Sequence, residues 1–259
     1  FSFDAGDISS AELMCIMAAL REKKRYYRLR DGTFLSLEGR ELHGMAQIID
    51  DLGLKDRDLA KGLVTLPKYR ALYLDRQLRE LMDEKPVYQS AFRELLKDIQ
   101  NPEDIQAVVP VSLKSIIREY QRMGFQWLKT LSHYGLGGIL ADDMGLGKTL
   151  QILTLLLSDK EEGSSQPSLV IAPTSLIYNW EDEVQKFVPE LTTVIITGTK
   201  AERKKLLRKI QDVDLVITSY PLIRRDKEDY GEYSFRYCII DEAQHIKNPR
   251  SQTAKSVKS

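Results

Sequence analysis

The chain is 259 residues long, which is enough for one large domain or two of ordinary size. Apolar residues make up 42% of it, so it is able to bury a hydrophobic core. Basic and acidic residues number 38 each, and this zero net charge excludes a tail-like basic nucleic-acid binder, although a local basic groove stays open. The longest apolar run, residues 150–157, falls far short of the roughly 20 residues that a membrane-spanning helix needs.

The cysteines, Cys15 and Cys238, lie far apart and lack the spacing of a zinc site. Isolated thiols suit a reducing cytosol, and we interpret both as small, buried, apolar side chains. The chain begins at Phe1 without an initiator methionine or a signal-peptide pattern, so we expect a segment of a longer protein.

The first part of the chain predicts helices and one hairpin. Apolar residues recur at helical spacing in residues 11–24, 41–52, 68–82 and 87–99. Apolar and polar residues alternate across residues 26–37, with Asp31 and Gly32 in the middle. This pair favours a tight type I′ turn, in which both central residues have positive φ.

A linker is predicted after these helices. Asn101 and Pro102 signal a turn, and Pro110 limits helix formation nearby. We therefore place a mainly helical α+β accessory domain at residues 1–108 and a second domain at residues 109–259.

The second part alternates helix and strand patterns. One helical face is predicted at residues 116–131, and short, continuous apolar runs then recur at 138–141, 169–172, 193–196, 215–218 and 237–240. Continuous apolar runs are typical of strands buried on both faces, so the pattern predicts an α/β domain with a mostly parallel sheet flanked by helices.

A glycine-bearing loop lies between the first of these predicted strands and a predicted helix. It comprises Met144, Gly145, Leu146, Gly147, Lys148 and Thr149. The glycines let the backbone wrap closely around an anion, and the amides at the helix N-terminus favour phosphate. Lys148 is suited to reach the terminal phosphates of a nucleotide, and the Thr149 hydroxyl is suited to bind magnesium. The general pattern has glycine at the position of Asp142, so this loop departs from it there.

A second motif ends the last predicted strand in two carboxylates, Asp241 and Glu242. At the carboxyl edge of a parallel sheet they are expected beside the phosphate loop. We predict that Asp241 holds magnesium and that Glu242 polarises the attacking water. Taken alone, two exposed acids capping a strand are common; their pairing with the loop favours the functional interpretation.

Together these segments resemble the Swi/Snf family of helicase-like DNA translocases of the bacterial type. The resemblance rests on residues 142–151, on 118–121 with Gly124 and 127–128, on 172–176 with 179–180, on 218–220 and on 241–248. It implies RecA-like architecture for residues 109–259, with ATP and Mg²⁺ as cofactors. A weaker resemblance of the N-terminal part, at 24–29 and 31–35, is to the accessory region that precedes the motor in bacterial members.

The resemblance also implies roles for single residues. Gln121 would read adenine, and Gln244 would couple the nucleotide state to lobe movement. The backbone of double-stranded DNA would be contacted by Pro173, Thr174, Ser175, Thr218 and Ser219. Small hydroxyls and loop amides hold phosphate without reading bases. Each residue alone is more typical of a turn or helix cap, and only their order and their placement after strands favour DNA contact.

The family's motor has a second RecA-like lobe with an arginine finger, and the chain ends at Ser259 soon after the acidic motif. We expect this segment to lack that lobe and to hydrolyse almost no ATP alone, since a finger contributes about 10³–10⁵ in rate. The resemblance places the protein in the bacterial cytoplasm near the nucleoid. The basic and aromatic residues at 24–29 and 31–35 are suited to touch nucleic acid or a protein partner, although a hairpin whose Tyr and Leu face packs on a helix is the safer interpretation. Two alternatives stay open: a small-molecule kinase with a phosphate loop, and a scaffold without enzymatic activity.

A basic stretch follows the third predicted strand. It comprises Lys200, Arg203, Lys204, Lys205, Arg208 and Lys209, at helical spacing. We interpret it as a solvated helix face rather than as a DNA contact.

Overall fold

The computed structural model describes residues 10–55, 58, 65–81, 88–102, 107–143 and 145–258. The chain divides into two compact units, Phe1–Gln100 and Asn101–Ser259. The first is mainly helical with a hairpin and the second is α/β, which confirms the predicted fold class. The exact domain boundary at 108/109 stays a prediction.

The first unit builds a small core from helices and a β-ribbon. Its elements are α1 (Ser10–Arg21), β1 (Tyr26–Arg28), β2 (Phe34–Ser36), α2 (Arg40–Asp51), a 3₁₀ turn (Lys68–Arg70) leading into α3 (Ala71–Leu81), and α4 (Ser90–Gln100). The apolar face of α1 supplies Ile16, Met17 and Leu20 to this core, where Leu37 and Ile49 join them.

The hairpin forms as predicted, but its turn differs. β1 and β2 are antiparallel, with Arg28 opposite Phe34. Gly32 has φ +93, whereas Asp31 does not have positive φ. The expectation of a two-residue type I′ turn is therefore wrong. Leu29 pairs with Thr33 instead, which leaves a three-residue loop with glycine at its left-handed position.

The second unit alternates helices and strands. Its elements are α5 (Glu119–Tyr134), α6 (Lys148–Glu161), β3 (Ser168–Ala172), α7 (Ile177–Phe187), β4 (Thr193–Ile195), α8 (Lys200–Leu207), β5 (Leu215–Ser219), α9 (Tyr220–Arg225), α10 (Lys227–Tyr230), β6 (Cys238–Ile240) and α11 (Gln252–Val257). Single 3₁₀ turns occur at Val111–Leu113, Ile210–Asp212 and Ala243–Ile246.

The sheet is parallel and has the strand order β4-β5-β3-β6. Both β3 and β5 are buried along their whole length, as continuous apolar runs predict. Apolar side chains pack on the two faces of the sheet in two core clusters; α6 and α7 contribute to one, and α8 and α9 to the other.

The predicted strand at residues 138–141 is wrong. This segment is not paired in a sheet, and Ile139 is 82% exposed. An apolar run becomes a strand only where a neighbouring strand accepts its backbone hydrogen bonds, and none of the described residues provides such a strand. The loop that follows therefore emerges from extended, exposed chain.

The prediction of buried cysteines is also wrong, because Cys15 and Cys238 are both exposed. Cys15 lies on α1 beside the buried Ile16 and Met17 but faces outward. Cys238 begins β6, which among the described strands pairs only with β3 and so lies at the sheet edge. Within the described part of the chain, no helix combines the length and apolar character needed to span a bilayer.

Candidate functional site

The carboxyl ends of three neighbouring strands bring the predicted site segments to one edge of the sheet. Ala172 pairs with Ser219, and Ile171 pairs with Ile240. The amide of Asp241 continues this ladder by donating to the Ile171 carbonyl over 2.9 Å. The three strands therefore end side by side. The segments that follow them leave the sheet at its carboxyl edge, which is where open α/β sheets bind ligands.

The glycine loop ends where α6 begins. Gly145 has φ +86, and Gly147, the N-cap of α6, has φ +73. Both lie in the left-handed region that favours glycine. Gly147 is also closely approached, because a Cβ added there would lie 2.4 Å from Gln121 Nε2. The loop thus leads directly to the free amides of a helix N-terminus; Met144, predicted to belong to it, lies outside the described residues.

Side chains fasten this loop to its helix. Lys148 Nζ donates to the carbonyls of Asp142, over 2.8 Å, and Asp143, over 3.0 Å. Gln151 Nε2 donates to Asp142 Oδ2 over 2.9 Å. The aspartate at the usual glycine position therefore accepts a hydrogen bond that ties the loop to the first turn of α6.

Gln121 is held against the same loop. It is only 5% exposed. Its Oε1 accepts from the Arg118 amide, and its Nε2 donates to the Leu146 carbonyl, each over 3.0 Å. The Tyr120 hydroxyl donates to that carbonyl over 3.2 Å. Gln121 thus supports the loop, while its predicted reading of adenine stays a prediction.

The carboxylate of Asp241 is anchored from α7. The Trp180 indole Nε1 donates to Asp241 Oδ2 over 2.9 Å, and the Glu242 amide donates to Oδ1 over 2.9 Å. Glu183, one turn further along α7, interacts with both predicted magnesium ligands. Burial raises the pKa of Glu183 and the charge of Asp241 adds to this, while a hydrogen bond with the Thr149 side chain opposes it. Thr149 and Asp241 therefore share one neighbour.

Sequence reasoning had assigned no role to Trp180 or Glu183. Their spacing of three residues, which puts both on one face of α7, was the available signal. That spacing alone does not predict a functional role, because the role depends on α7 packing beside the acidic motif.

Glu242 has an uncommon backbone conformation, with φ 51 and ψ 54. A residue other than glycine held there costs on the order of 1–3 kcal/mol, and such residues cluster at functional sites. Gln244 Nε2 donates to the Glu242 carboxylate. The Tyr220 hydroxyl donates to the Asp241 carbonyl over 2.5 Å, and the Tyr220 ring lies 5.0 Å from the His245 ring. These contacts hold the acidic motif in its strained form.

The residues expected to contact DNA fall into two groups. Thr174 and Ser175 are exposed in the turn before α7, with Pro173 half-buried beside them. Thr218 and Ser219 are buried, and the Thr218 hydroxyl donates to the Ile196 carbonyl over 3.4 Å. The first group presents hydroxyls to solvent, whereas the second is part of the sheet.

The residues present suit Mg²⁺ rather than a metal held by protein alone. Among the described residues, no group of three or more His, Cys, Asp or Glu side chains is arranged to hold an ion. Magnesium is commonly bound through one or two carboxylates, with phosphates and water completing its shell. A Thr149 hydroxyl in the first turn of α6 and an Asp241 carboxylate held by Trp180 fit that chemistry.

A parallel sheet with a glycine loop and an acidic motif at one edge defines a RecA-like lobe of the phosphate-loop class. Residues 120–259 match the family model of the SNF2-related domain, and residues 1–110 match that of the bacterial SNF2 helicase-associated domain. The chain therefore belongs to the SNF2-related family, and the resemblance inferred from its motifs is confirmed.

Known proteins are similar in sequence to this chain. The chain is 38% identical over 180 residues to the TATA-binding protein-associated factor mot1 of Schizosaccharomyces pombe. It is 36% identical over 169 residues to the putative ATP-dependent helicase/translocase YwqA of Bacillus subtilis. Each match covers 64% of this chain but only 9% and 18% of those proteins, respectively.

A solved structure is similar as well. It is the SWI2/SNF2 ATPase core of Sulfolobus solfataricus in complex with dsDNA, which is 41% identical with a TM-score of 0.55. The match covers 60% of this chain and 32% of that one. This confirms the RecA-like fold.

Proposed function

We propose that residues 109–259 form the nucleotide-binding first lobe of an ATP-dependent translocase on double-stranded DNA. The observation that carries this proposal is the bond from Trp180 to Asp241, because α7 packs in the same core cluster as α6, the helix that begins at the glycine loop. A phosphate loop and an acidic motif that converge in this way are able to serve one nucleotide and one metal ion.

Each residue of the site has a distinct task in this proposal. The loop amides and the N-terminus of α6 bind the phosphates of ATP, and Lys148 exchanges its carbonyl partners for the terminal phosphates. Thr149 and Asp241 hold Mg²⁺, which offsets phosphate charge when bound. Glu242 orients the attacking water, and its contact with Gln244 lets that residue sense the nucleotide state.

DNA contact is proposed at the turn before α7. Thr174 and Ser175 expose hydroxyls there, and such groups hold the phosphate backbone without reading bases. The S. solfataricus core, whose structure contains dsDNA, supports duplex DNA as the ligand.

Two further partners complete the proposal. A second RecA-like lobe of the same protein supplies the arginine finger, because the relatives extend far beyond this chain. A partner protein binds the outer face of the hairpin, where Tyr26 is 58% and Phe34 71% exposed beside Arg28. The basic character of this face favours an acidic partner surface. We place the protein in the bacterial cytoplasm near the nucleoid.

Replacing Lys148 with Ala in the full-length protein tests the function. We expect DNA-stimulated phosphate release to fall about 100-fold or more, since a charged group at the transferred phosphate is lost. Lys204→Ala, at an exposed position of α8, serves as the control. Retained biological function in Lys148→Ala would favour a scaffold, and a phosphorylated small-molecule acceptor would favour a kinase.

A further inference from the structure

Helix α7 holds the Asp241 carboxylate in one orientation. Trp180 is 5% exposed and packs in the core, so its indole has little freedom to move. Its single N–H donor is used on Asp241 Oδ2, while the Glu242 amide occupies Oδ1. Each carboxylate oxygen of Asp241 therefore accepts from its own donor. These two bonds fix the orientation of the carboxylate and the directions of its remaining lone pairs.

The same helix packs against the helix that carries Thr149. Ile177, Trp180 and Val184 of α7 share one core cluster with Leu150 and Leu153 of α6.

Helix α7 starts directly at the exposed turn proposed to contact DNA. The Leu176 amide donates to the Pro173 carbonyl over 2.8 Å, and the Trp180 amide donates to the Leu176 carbonyl over 3.2 Å. Continuous backbone hydrogen bonds thus join the turn to Trp180. Because Ile177, Trp180 and Val184 are buried, a displacement of the turn moves the helix as a unit.

We propose that Trp180 is a positioning residue that orients the magnesium ligand Asp241, and that α7 transmits DNA contact at Ser175 to the metal site. This inference rests on the proposed nucleotide-binding function. It predicts that DNA changes nucleotide affinity through Mg²⁺, rather than through the loop amides.

Trp180→Phe keeps an aromatic ring in the core and removes the indole donor together with part of the buried ring. The affinity of a fluorescent ATP analogue is measured on the full chain, with Mg²⁺ and with a chelator. We expect Trp180→Phe to lower the affinity in Mg²⁺ about 10-fold, as outer partners of metal ligands do, with no change in chelator. Trp127→Phe, the same substitution at the other tryptophan, controls for loss of an indole.

Adding duplex DNA to the same assay tests whether α7 transmits DNA contact to the metal site. In the wild type, DNA shifts the affinity for the analogue in Mg²⁺, and we expect Trp180→Phe to abolish most of that shift. Equal Mg²⁺-dependent affinities in wild type and Trp180→Phe would overturn the inference and leave the proposed function standing. A wild type that binds no analogue would overturn both.

Discussion

The close approach of Gln121 to the phosphate loop is open to a direct test at Gly147. Gly147→Ala places a methyl group at φ +73, which costs about 1–2 kcal/mol for a residue with a Cβ. The new Cβ would lie 2.4 Å from Gln121 Nε2. The buried amide must then give up its hydrogen bond to the Leu146 carbonyl, at a further cost of about 1–3 kcal/mol.

Gly145 offers a matched control in the same loop. It has φ +86, and a Cβ added there meets nothing within 4 Å. Gly145→Ala therefore carries only the conformational cost. We expect Gly147→Ala to lower the free energy of unfolding by about 1–3 kcal/mol more than Gly145→Ala does.

Urea denaturation followed by tryptophan fluorescence measures this difference. Both tryptophans of the sequence, Trp127 and Trp180, lie in the second unit, so the signal reports on that unit. In a Gln121→Ala background the excess cost of Gly147→Ala should disappear. Equal costs at the two glycines, or an excess that persists without Gln121, would refute the reasoning.

Three further outcomes are expected. Asp226→Ala leaves the buried Arg203 guanidinium unpaired and should destabilise the second unit by about 3 kcal/mol in urea denaturation, whereas exposed Lys204→Ala stays within about 0.5 kcal/mol. Burial by itself would raise the pKa of Asp159, but hydrogen bonds from Tyr237, Lys129 and Arg236 outweigh burial and hold the pKa below the usual range of an aspartate. The Asp159 carboxylate thus contributes stability that is present above the unfolded pKa and lost as the pH falls through the lowered folded pKa, so the stability gap between wild type and Asp159→Asn should narrow on acidification below about pH 4. Ser175→Ala should weaken duplex binding by up to about 10-fold, equally for unrelated base sequences in fluorescence anisotropy.

The basic stretch on α8 contains a residue whose burial could not be predicted from the sequence. The spacing predicted a solvated face, and Lys204 and Lys205 are indeed exposed. Arg203 is buried instead and makes a bidentate ion pair with Asp226. No local pattern distinguishes it from its neighbours, because its partner lies 23 positions further along the chain.

Local chemistry was enough to predict the sheet and the phosphate loop. Continuous apolar runs identified β3, β4, β5 and β6. The expected burial on both faces, which leaves no polar alternation, holds along the whole of β3 and β5. The glycines before Lys148 identified the loop, because only glycine adopts those backbone angles without strain. Such features depend on a residue and its near neighbours, which the sequence contains.

Tertiary structure decided the features that depend on partners distant in the chain. Residues 138–141 have the composition of a strand, but none of the described strands lies beside them, and Cys238 is apolar but lies at an edge. The bonds of Trp180 to Asp241 and of Gln121 to Leu146 likewise exist only because helices pack where they do. Hydrogen bonding and burial are properties of pairs of surfaces, so a sequence specifies which groups need partners, and the fold determines which of them meet.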